Sequence, residues 1–423
     1  MVEEKIPNIT QHKESEKKIC LCMIVKNESS IIERCLNSAK SIIDFVSICD
    51  TGSTDNTPEM IENWCKENSI PGTVHHQPFK NFGYNRTLAL SLAQETYLEA
   101  DYLLLLDADM ILTVSPHFDK SSLEYDHYLT MQYDDQIKYW LTRLLKTSLP
   151  WKSVGVTHEY WDIDRSRLGT DQSTYLETKG TLDSLIIYDQ QDGGSRIDKF
   201  ERDKRLLLEG INDQTTPPDL KIRYMFYLAQ TFFCLDELEE SIQWYKKRVE
   251  AGGWVEEVFY SLLQIGLCYE RLANISSFKR EQLIKESKEN KSIMDHSTID
   301  SLIHQEEQFF ALATTYFQNS WEHRPSRAEP LYHLAKMYRI KSKHNIGLMY
   351  ALQGKEIPFP KDDILFVDYH VYDYLFDYEI SICAYYVENK RYLGHTALKR
   401  LQSKIKQLPL NIARDVESNS KFY

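Results

Sequence analysis

Short apolar runs alternate with helical stripes over the first quarter of the chain. Ile19–Val25 is a near-continuous apolar run that stops at Lys26-Asn27-Glu28, the pattern of a strand buried on both faces. Residues 29–41 then place Ile31, Ile32, Cys35, Leu36 and Ala39 at helical spacing. Phe45–Asp50 predicts a second strand, followed by a turn at 51–54 and a helix over 56–67 with Asp55 as its N-cap. A short strand over 73–76, a helix over 84–98 and a fourth strand, Tyr102–Leu106, continue the alternation up to Asp107-Ala108-Asp109. This order predicts an α/β fold, a doubly wound, Rossmann-like parallel sheet with helices on both faces. Ligands of such sheets lie at the carboxyl ends of the strands. Here those ends carry Lys26-Asn27-Glu28, Asp50-Thr51-Gly52-Ser53 and Asp107-Ala108-Asp109.

Residues 126–188 are β-rich. Segments 127–132 and 138–146 read as a hairpin and 185–188 as a later strand, a part expected to complete and cover the site. Past residue 196 the period becomes helical and stays so to about residue 405. Tyr224–Cys234 and Leu238–Val249 read as a helical hairpin closing on the small residue Ala229. Further helical segments fall at 255–272, 309–320, 328–340 and 346–355. Pairs of about 34 residues with small, aromatic and Pro positions are the spacing of tetratricopeptide-like repeats, and the charged stretch 279–291 reads as an exposed helix or loop between two of them. The expected organisation is a polar leader at 1–17, an α/β domain at 18–210 and an all-α repeat domain at 211–423. Pro217-Pro218 interrupts any helix near that boundary.

Composition narrows the partners. Sixty-three acidic against 50 basic residues give a net charge of −13, which argues against a broad nucleic-acid or anionic-membrane surface. No run reaches the ~18 apolar residues of a membrane span, and residues 1–18 lack the apolar core of a signal peptide. Eight cysteines without a CxxC pair read as reduced thiols. Glycosylation of the sequons at Asn27 and Asn85 would block the site. Together these features predict a cytoplasmic protein without a transmembrane segment.

Alternate carboxylates after a buried strand are chemically meaningful, because both reach one polar ligand. Asp107 and Asp109 suit a hard divalent cation, magnesium or manganese, whose shell substrate phosphates and water complete. The same pair also describes two solvated acids capping a turn, but acids emerging from four leucines leave a core where unpaired charge is costly. Asp50 is placed to accept from a pyrimidine N–H, or to order the turn after it. Asn27 and Glu28 are candidates for the same ligand or simple helix-start residues. Arg86 pairs with Asp107 or a phosphate, or is an ordinary surface arginine.

Taken together, Cys22-Met-Ile-Val-Lys-Asn-Glu28, Cys49-Asp-Thr-Gly-Ser-Thr-Asp-Asn-Thr57, Phe82-Gly-Tyr-Asn-Arg86 and Leu104-Leu-Leu-Asp-Ala-Asp109 resemble, in order and spacing, a family 2 glycosyltransferase of the GT-A type. The resemblance covers roughly residues 18–195. Arg143-Leu-Leu, Trp151-Lys-Ser-Val-Gly-Val-Thr-His-Glu-Tyr-Trp161 and the helical region, with Gly252-Gly-Trp254, Arg327-Ala-Glu-Pro-Leu-Tyr332 and Leu365-Phe-Val367, look like the subgroup fused to C-terminal tetratricopeptide repeats. The resemblance implies a metal-dependent, inverting transfer from a nucleotide sugar, a UDP-sugar first, to a protein, peptide or glycan acceptor. Val25, Asn27 and Glu28 would border the uridine, Asp50 would contact its base, and Asn85 lies in the same donor motif. Arg86 and Asp107 would hold the ribose or diphosphate, and Asp109 would ligate Mn2+ or Mg2+ directly. His158 or Asp189 would add a further metal contact.

Inversion demands a base on the acceptor side, and a partly buried carboxylate suits that task. Glu159 is the candidate, with His158 second; Tyr160 and Trp161 beside them suit sugar stacking, while the bland reading has His158 and Glu159 ordering a strand-to-loop junction. Arg196, Lys199 and Arg202 either neutralise the leaving diphosphate or form a solvated helix face. Helical repeats suit a protein partner or peptide acceptor. The alternative to an enzyme is an interaction scaffold whose repeats act beside an inactive transferase domain. Nucleotidyl transfer would use a similar pocket, but the resemblance speaks against it.

Overall fold

The computed structural model describes residues 16–133, 138–169, 175–194, 198–290 and 296–423. Residues 1–15 of the expected leader and Arg196 lie outside the described residues. The chain divides into two compact units, residues 1–207 and 208–423, with the division inside the helix Lys199–Asn212.

In the first unit β1 (Ile19–Val25), β2 (Phe45–Asp50), β3 (Gly72–His76) and β4 (Tyr102–Leu105) run parallel in the order β3-β2-β1-β4. They are linked through α1 (Ile32–Ala39), α2 (Thr57–Glu67) and α3 (Phe82–Thr96). Successive strand residues face opposite ways. β1 accordingly sends Ile19, Leu21, Met23 and Val25 into a core with α1 and α2, and Cys20 and Cys22 into a second core with Ala89, Leu90 and Ala93 of α3. Helices therefore cover both faces, as the apolar runs predict. α3 begins at Phe82, two residues before the expected start, because Asn81 accepts from the Tyr84 N–H at 2.8 Å and caps it.

The four parallel strands and the hairpin of His127–Tyr133 with Lys138–Lys146 are as expected, and the later strands extend them into a mixed sheet. β5 (Met110–Val114), β6 (His127–Tyr133) and β7 (Lys138–Lys146) follow β4. β8 (Trp151–Val154) and β9 (Tyr160–Ile163) form a separate hairpin, and β10 (Lys179–Asp189) rejoins the main sheet. The eight strands lie in the order β3-β2-β1-β4-β7-β6-β10-β5. β7 is antiparallel to both β4 and β6, and β10 is parallel to β6 but antiparallel to β5. The cause is the connections: no α-helix among the described residues links β4 to β10, and antiparallel neighbours need only short links where parallel ones need a crossover. The result is a mixed open sheet.

The second unit is all helical. It begins in the last turns of α4 (Lys199–Asn212) and runs through α5 (Pro218–Cys234), α6 (Leu238–Ala251), α7 (Val255–Asn290) and α8 (His296–His323). α9 (Glu329–Ile340), α10 (His344–Lys355), α11 (Phe376–Cys383), α12 (Arg391–Ser403) and α13 (Leu410–Asn419) complete it. α5 and α6 form the predicted hairpin, with fully buried Ala229 accepting from the Ser241 hydroxyl at 2.9 Å. Its span, 218–251, is one unit of the ~34-residue repeat. α7 and α8 are much longer, so the repeat is irregular, and the charged stretch from Lys279 is the exposed end of α7. Arg327 is fully buried against Glu329 and Asp363, so the Arg-Ala-Glu segment is an internal ionic staple. Among the described residues no helix is long and apolar enough to cross a membrane.

Candidate active site

The ends of β1 and β4, the start of α3, the β8–β9 loop and the first turn of α4 surround a cavity of about 530 Å³, within the range of small-molecule sites. It gathers Val25, Asn27, Glu28, Arg86, Asp107, Asp109, His158, Glu159 and Asp189, residues scattered over 165 positions from 25 to 189. Lys199 and Arg202 line it too, and Arg202 lies over the Phe82 ring at 5.1 Å.

Arg86 is the hub. Its Nη2 donates to Asp107 Oδ1 at 2.8 Å and its Nε to Glu159 Oε1 at 2.6 Å, so one guanidinium ties the Asp-x-Asp motif to the candidate base. Arg143 adds a second cation at 3.6 Å from Asp107. Burial pushes the Asp107 acid up, but the two guanidiniums outweigh it and hold it below the usual carboxylate range. The loop that carries Glu159 is fixed by a close approach. A Cβ at Gly83 would sit 2.2 Å from the Gly155 carbonyl, and the Phe82 N–H donates to the Val156 carbonyl at 3.1 Å. Gly155 (φ +123°) and His158 (φ +50°) both take left-handed backbone in this loop, sparse for a side-chain-bearing residue such as histidine. Their turn leaves His158 exposed and the Glu159 side chain only 16% exposed.

On the opposite wall Asn27, also left-handed (φ +56°), accepts from the Thr54 N–H at 2.7 Å through its side chain. Segment 192–194 crosses in front of it. Asp192 forms a two-point pair with Arg34, both bonds 2.7 Å, and the Gly194 N–H donates to Glu28 at 3.0 Å. A Cβ at Gly194 would meet the Asn27 carbonyl at 2.6 Å, so only glycine lets this strap lie so close.

Burial, reinforced by the Asp109, Asp107 and Asp55 charges, pushes the Glu28 acid up to about 7. Between its ordinary value near 4.5 and about 7 the folded chain holds a proton that the unfolded chain has lost. Stability from this group therefore falls as pH rises through that window. Melting of the metal-free protein from pH 5 to 7.5 is expected to show this decline, and Glu28→Gln to flatten it. An unchanged slope in the variant would assign the decline to other groups.

Two predicted donor-site residues stand outside the cavity lining. Asp50 is buried and accepts from the Gly52 and Ser53 N–H groups at 3.3 and 3.1 Å, ordering its own turn. Asn85 is fully buried, accepting from the Lys80 N–H at 2.8 Å and donating to the Pro78 carbonyl at 3.0 Å; its amide fixes the chain ahead of α3. The sequence reading missed Gln132, the Gly193-Gly194 strap, and Asp203, which is buried and accepts from Thr157 at 3.2 Å. The strap did leave a signal, a diglycine in a chain with only 15 glycines.

The donor set suits a hard cation. Six carboxylates line the cavity (Glu28, Asp107, Asp109, Glu159, Asp189 and Asp203) against four basic groups (Lys26, Arg86, Lys199 and Arg202). Among the described residues no three His, Cys, Asp or Glu side chains are gathered to hold a metal alone. Magnesium-type sites commonly use one or two carboxylates with substrate phosphates.

The site joins an open α/β sheet, two acids after its strand β4 and a cavity of about 530 Å³ beside them. Residues 20–118 match the model of glycosyl transferase family 2, and the first unit carries a domain of that family. The chain is 33% identical over 91 residues, 22% of its length, to a TPR repeat-containing protein of Synechococcus elongatus. It is 36% identical over 93 residues, again 22%, to an uncharacterized glycosyltransferase of Rickettsia bellii. The aligned stretches span 20% and 28% of those two proteins. In structure, S. aureus TarS 1-349 is similar at 17% identity and a TM-score of 0.32, over 65% of this chain and 92% of that one.

Proposed function

We propose that the first unit transfers a sugar from a nucleotide sugar, a UDP-sugar first, to a protein, peptide or glycan acceptor with inversion, assisted by Mn2+ or Mg2+. The observation that carries this reading is the meeting of Asp107, Asp109, Arg86 and Glu159 in one cavity of a family 2 domain. Asp109, with Asp189 or His158, is the proposed holder of the cation. A bound cation supplies positive charge to the departing diphosphate.

The chain's own groups do the rest. Asn27 and Glu28 border the nucleotide. Lys199 and Arg202 lie where they add positive charge to the cavity. Glu159 takes the proton of the acceptor hydroxyl as its oxygen bonds to the anomeric carbon and the bond from that carbon to the diphosphate oxygen breaks. Arg86 holds Glu159 in register with Asp107. The helical unit is proposed as the platform for a protein partner or peptide acceptor.

The test is a donor screen: the full chain with Mn2+ or Mg2+ and a panel of UDP- and GDP-sugars, read as nucleoside diphosphate release. Metal-dependent release from one donor is expected. No binding or turnover with any donor would sink this reading and favour a repeat scaffold with an inactive transferase domain.

A further inference from the structure

Two buried polar side chains outside the cavity connect its acidic edges. The β6–β7 ladder pairs Tyr128 with Leu144 and Leu129 with Thr142, so Arg143 is the extra residue of a β-bulge. Bulges re-aim side chains and recur beside active sites. Here the bulge turns the Arg143 guanidinium toward Gln132 on β6, whose Oε1 accepts from Nη2 at 2.6 Å and Nε at 3.2 Å. Nη1 lies 3.6 Å from Asp107 Oδ2. Because the Gln132 oxygen is committed to the arginine, its amide nitrogen faces the other way, 3.5 Å from Asp189 Oδ2. A second irregularity, between Leu182 and Ile186 of β10, sets the register in which Ile187 lies beside Gln132 and Asp189 follows two residues on. The chain of contacts therefore runs Asp107, Arg143, Gln132, Asp189.

Gln132 is 2% exposed and Arg143 7%. A buried charge of this kind seldom stabilises a fold more than apolar residues of the same size would, so packing alone gives little reason for an arginine here. Resting on the transferase reading above, we propose that Arg143 and Gln132 are positioning residues: they fix the separation of Asp107 and Asp189 across the candidate cation position. The end of β4 and the end of β10 are otherwise set by different strands, with β7 and β6 between them. The fork geometry of arginine is what allows it to bridge an amide and a carboxylate together, which a lysine ammonium cannot copy.

The experiment compares the wild-type full chain with Gln132→Met/Arg143→Met and with Arg143→Lys. It reads UDP binding by calorimetry with and without Mn2+, together with thermal melting. The double variant removes both polar groups and is expected to melt near the wild type. Its Mn2+-dependent UDP binding is expected to weaken about 10- to 100-fold, the size typical of groups that orient metal ligands, and metal-free UDP binding to stay within about 2-fold. Arg143→Lys keeps the charge but loses the fork, and is expected to lose about 10-fold of the Mn2+-dependent binding. A merely structural role would lower both kinds of binding together, and that result overturns the proposal. So does Mn2+-dependent binding equal to wild type in both variants. Should the double variant not fold, Arg143→Lys decides alone by the same criterion. A wild type that binds no UDP with Mn2+ removes the UDP-transferase reading and this inference with it, an outcome distinct from wild-type binding that the variants retain.

Discussion

Asp109→Ala is expected to lower metal-dependent nucleoside diphosphate release by at least about 10²- to 10³-fold, the cost of losing one group that stabilises developing charge. The two acids of the motif are not equivalent. Asp107 is already engaged by Arg86 and Arg143, and drawing it away would strand the nearly buried Arg143 guanidinium. Removing one partner of a fully buried pair costs about 3–5 kcal/mol, and with the Asp107 side chain 28% exposed the loss here is a fraction of that. Asp109 faces the strap instead, with its carboxylate where a Cβ on Gly193 would approach to 3.0 Å. Asp107→Ala is therefore expected to lose stability as well as turnover. Nucleoside diphosphate release measured across a Mn2+ titration, beside melting curves for both variants, checks this. An Asp109→Ala protein that keeps more than a tenth of the metal-dependent turnover would remove Asp109 from the cation site.

The parallel half of the sheet was legible because strands buried on both faces carry long apolar runs and end abruptly in polar residues. Ile19–Val25 and the four leucines before Asp107 are such runs. β5, β8 and β9 escaped because each is four or five residues long and follows a turn closely, too short for a period to declare itself. The charged end of α7 was ambiguous for a different reason. Its Lys and Glu residues form helices well without any apolar stripe, so amphipathicity says nothing there.

The cavity lining was legible where it coincides with strand ends, as at Glu28, Asp107 and Asp109. It was not where position depends on register. Nothing local announces that Arg143 is the extra residue of a bulge, because that depends on how β6 pairs with β7. Asn85 looked like a ligand for standing next to Arg86, yet adjacent helical residues do not share a face. Its neighbour reaches the cavity while its own amide ties down residues 78–80.

Glu159→Gln is expected to cut kcat for sugar transfer by about 10²- to 10⁴-fold, the range for removing a general base, while the KM for the donor changes by no more than about 3-fold, since only uniform binding would move it. The amide is isosteric and still accepts from Arg86, so the β8–β9 loop should keep its place and the loss should be one of proton transfer. His158 is the competing base and stands one residue away, but the two differ in setting. His158 is exposed at the rim on left-handed backbone, whereas the Glu159 side chain lies inward on the guanidinium that also grips Asp107. A base must stay at a fixed distance from the carbon under attack. Arg86 gives Glu159 a rigid link to the strand end that bears the Asp-x-Asp motif. Steady-state kinetics of Glu159→Gln and His158→Gln, with the donor identified by the screen and a fixed acceptor, separate the two assignments. If His158→Gln carries the kcat loss and Glu159→Gln does not, the base is His158, and Glu159 serves only to hold Arg86.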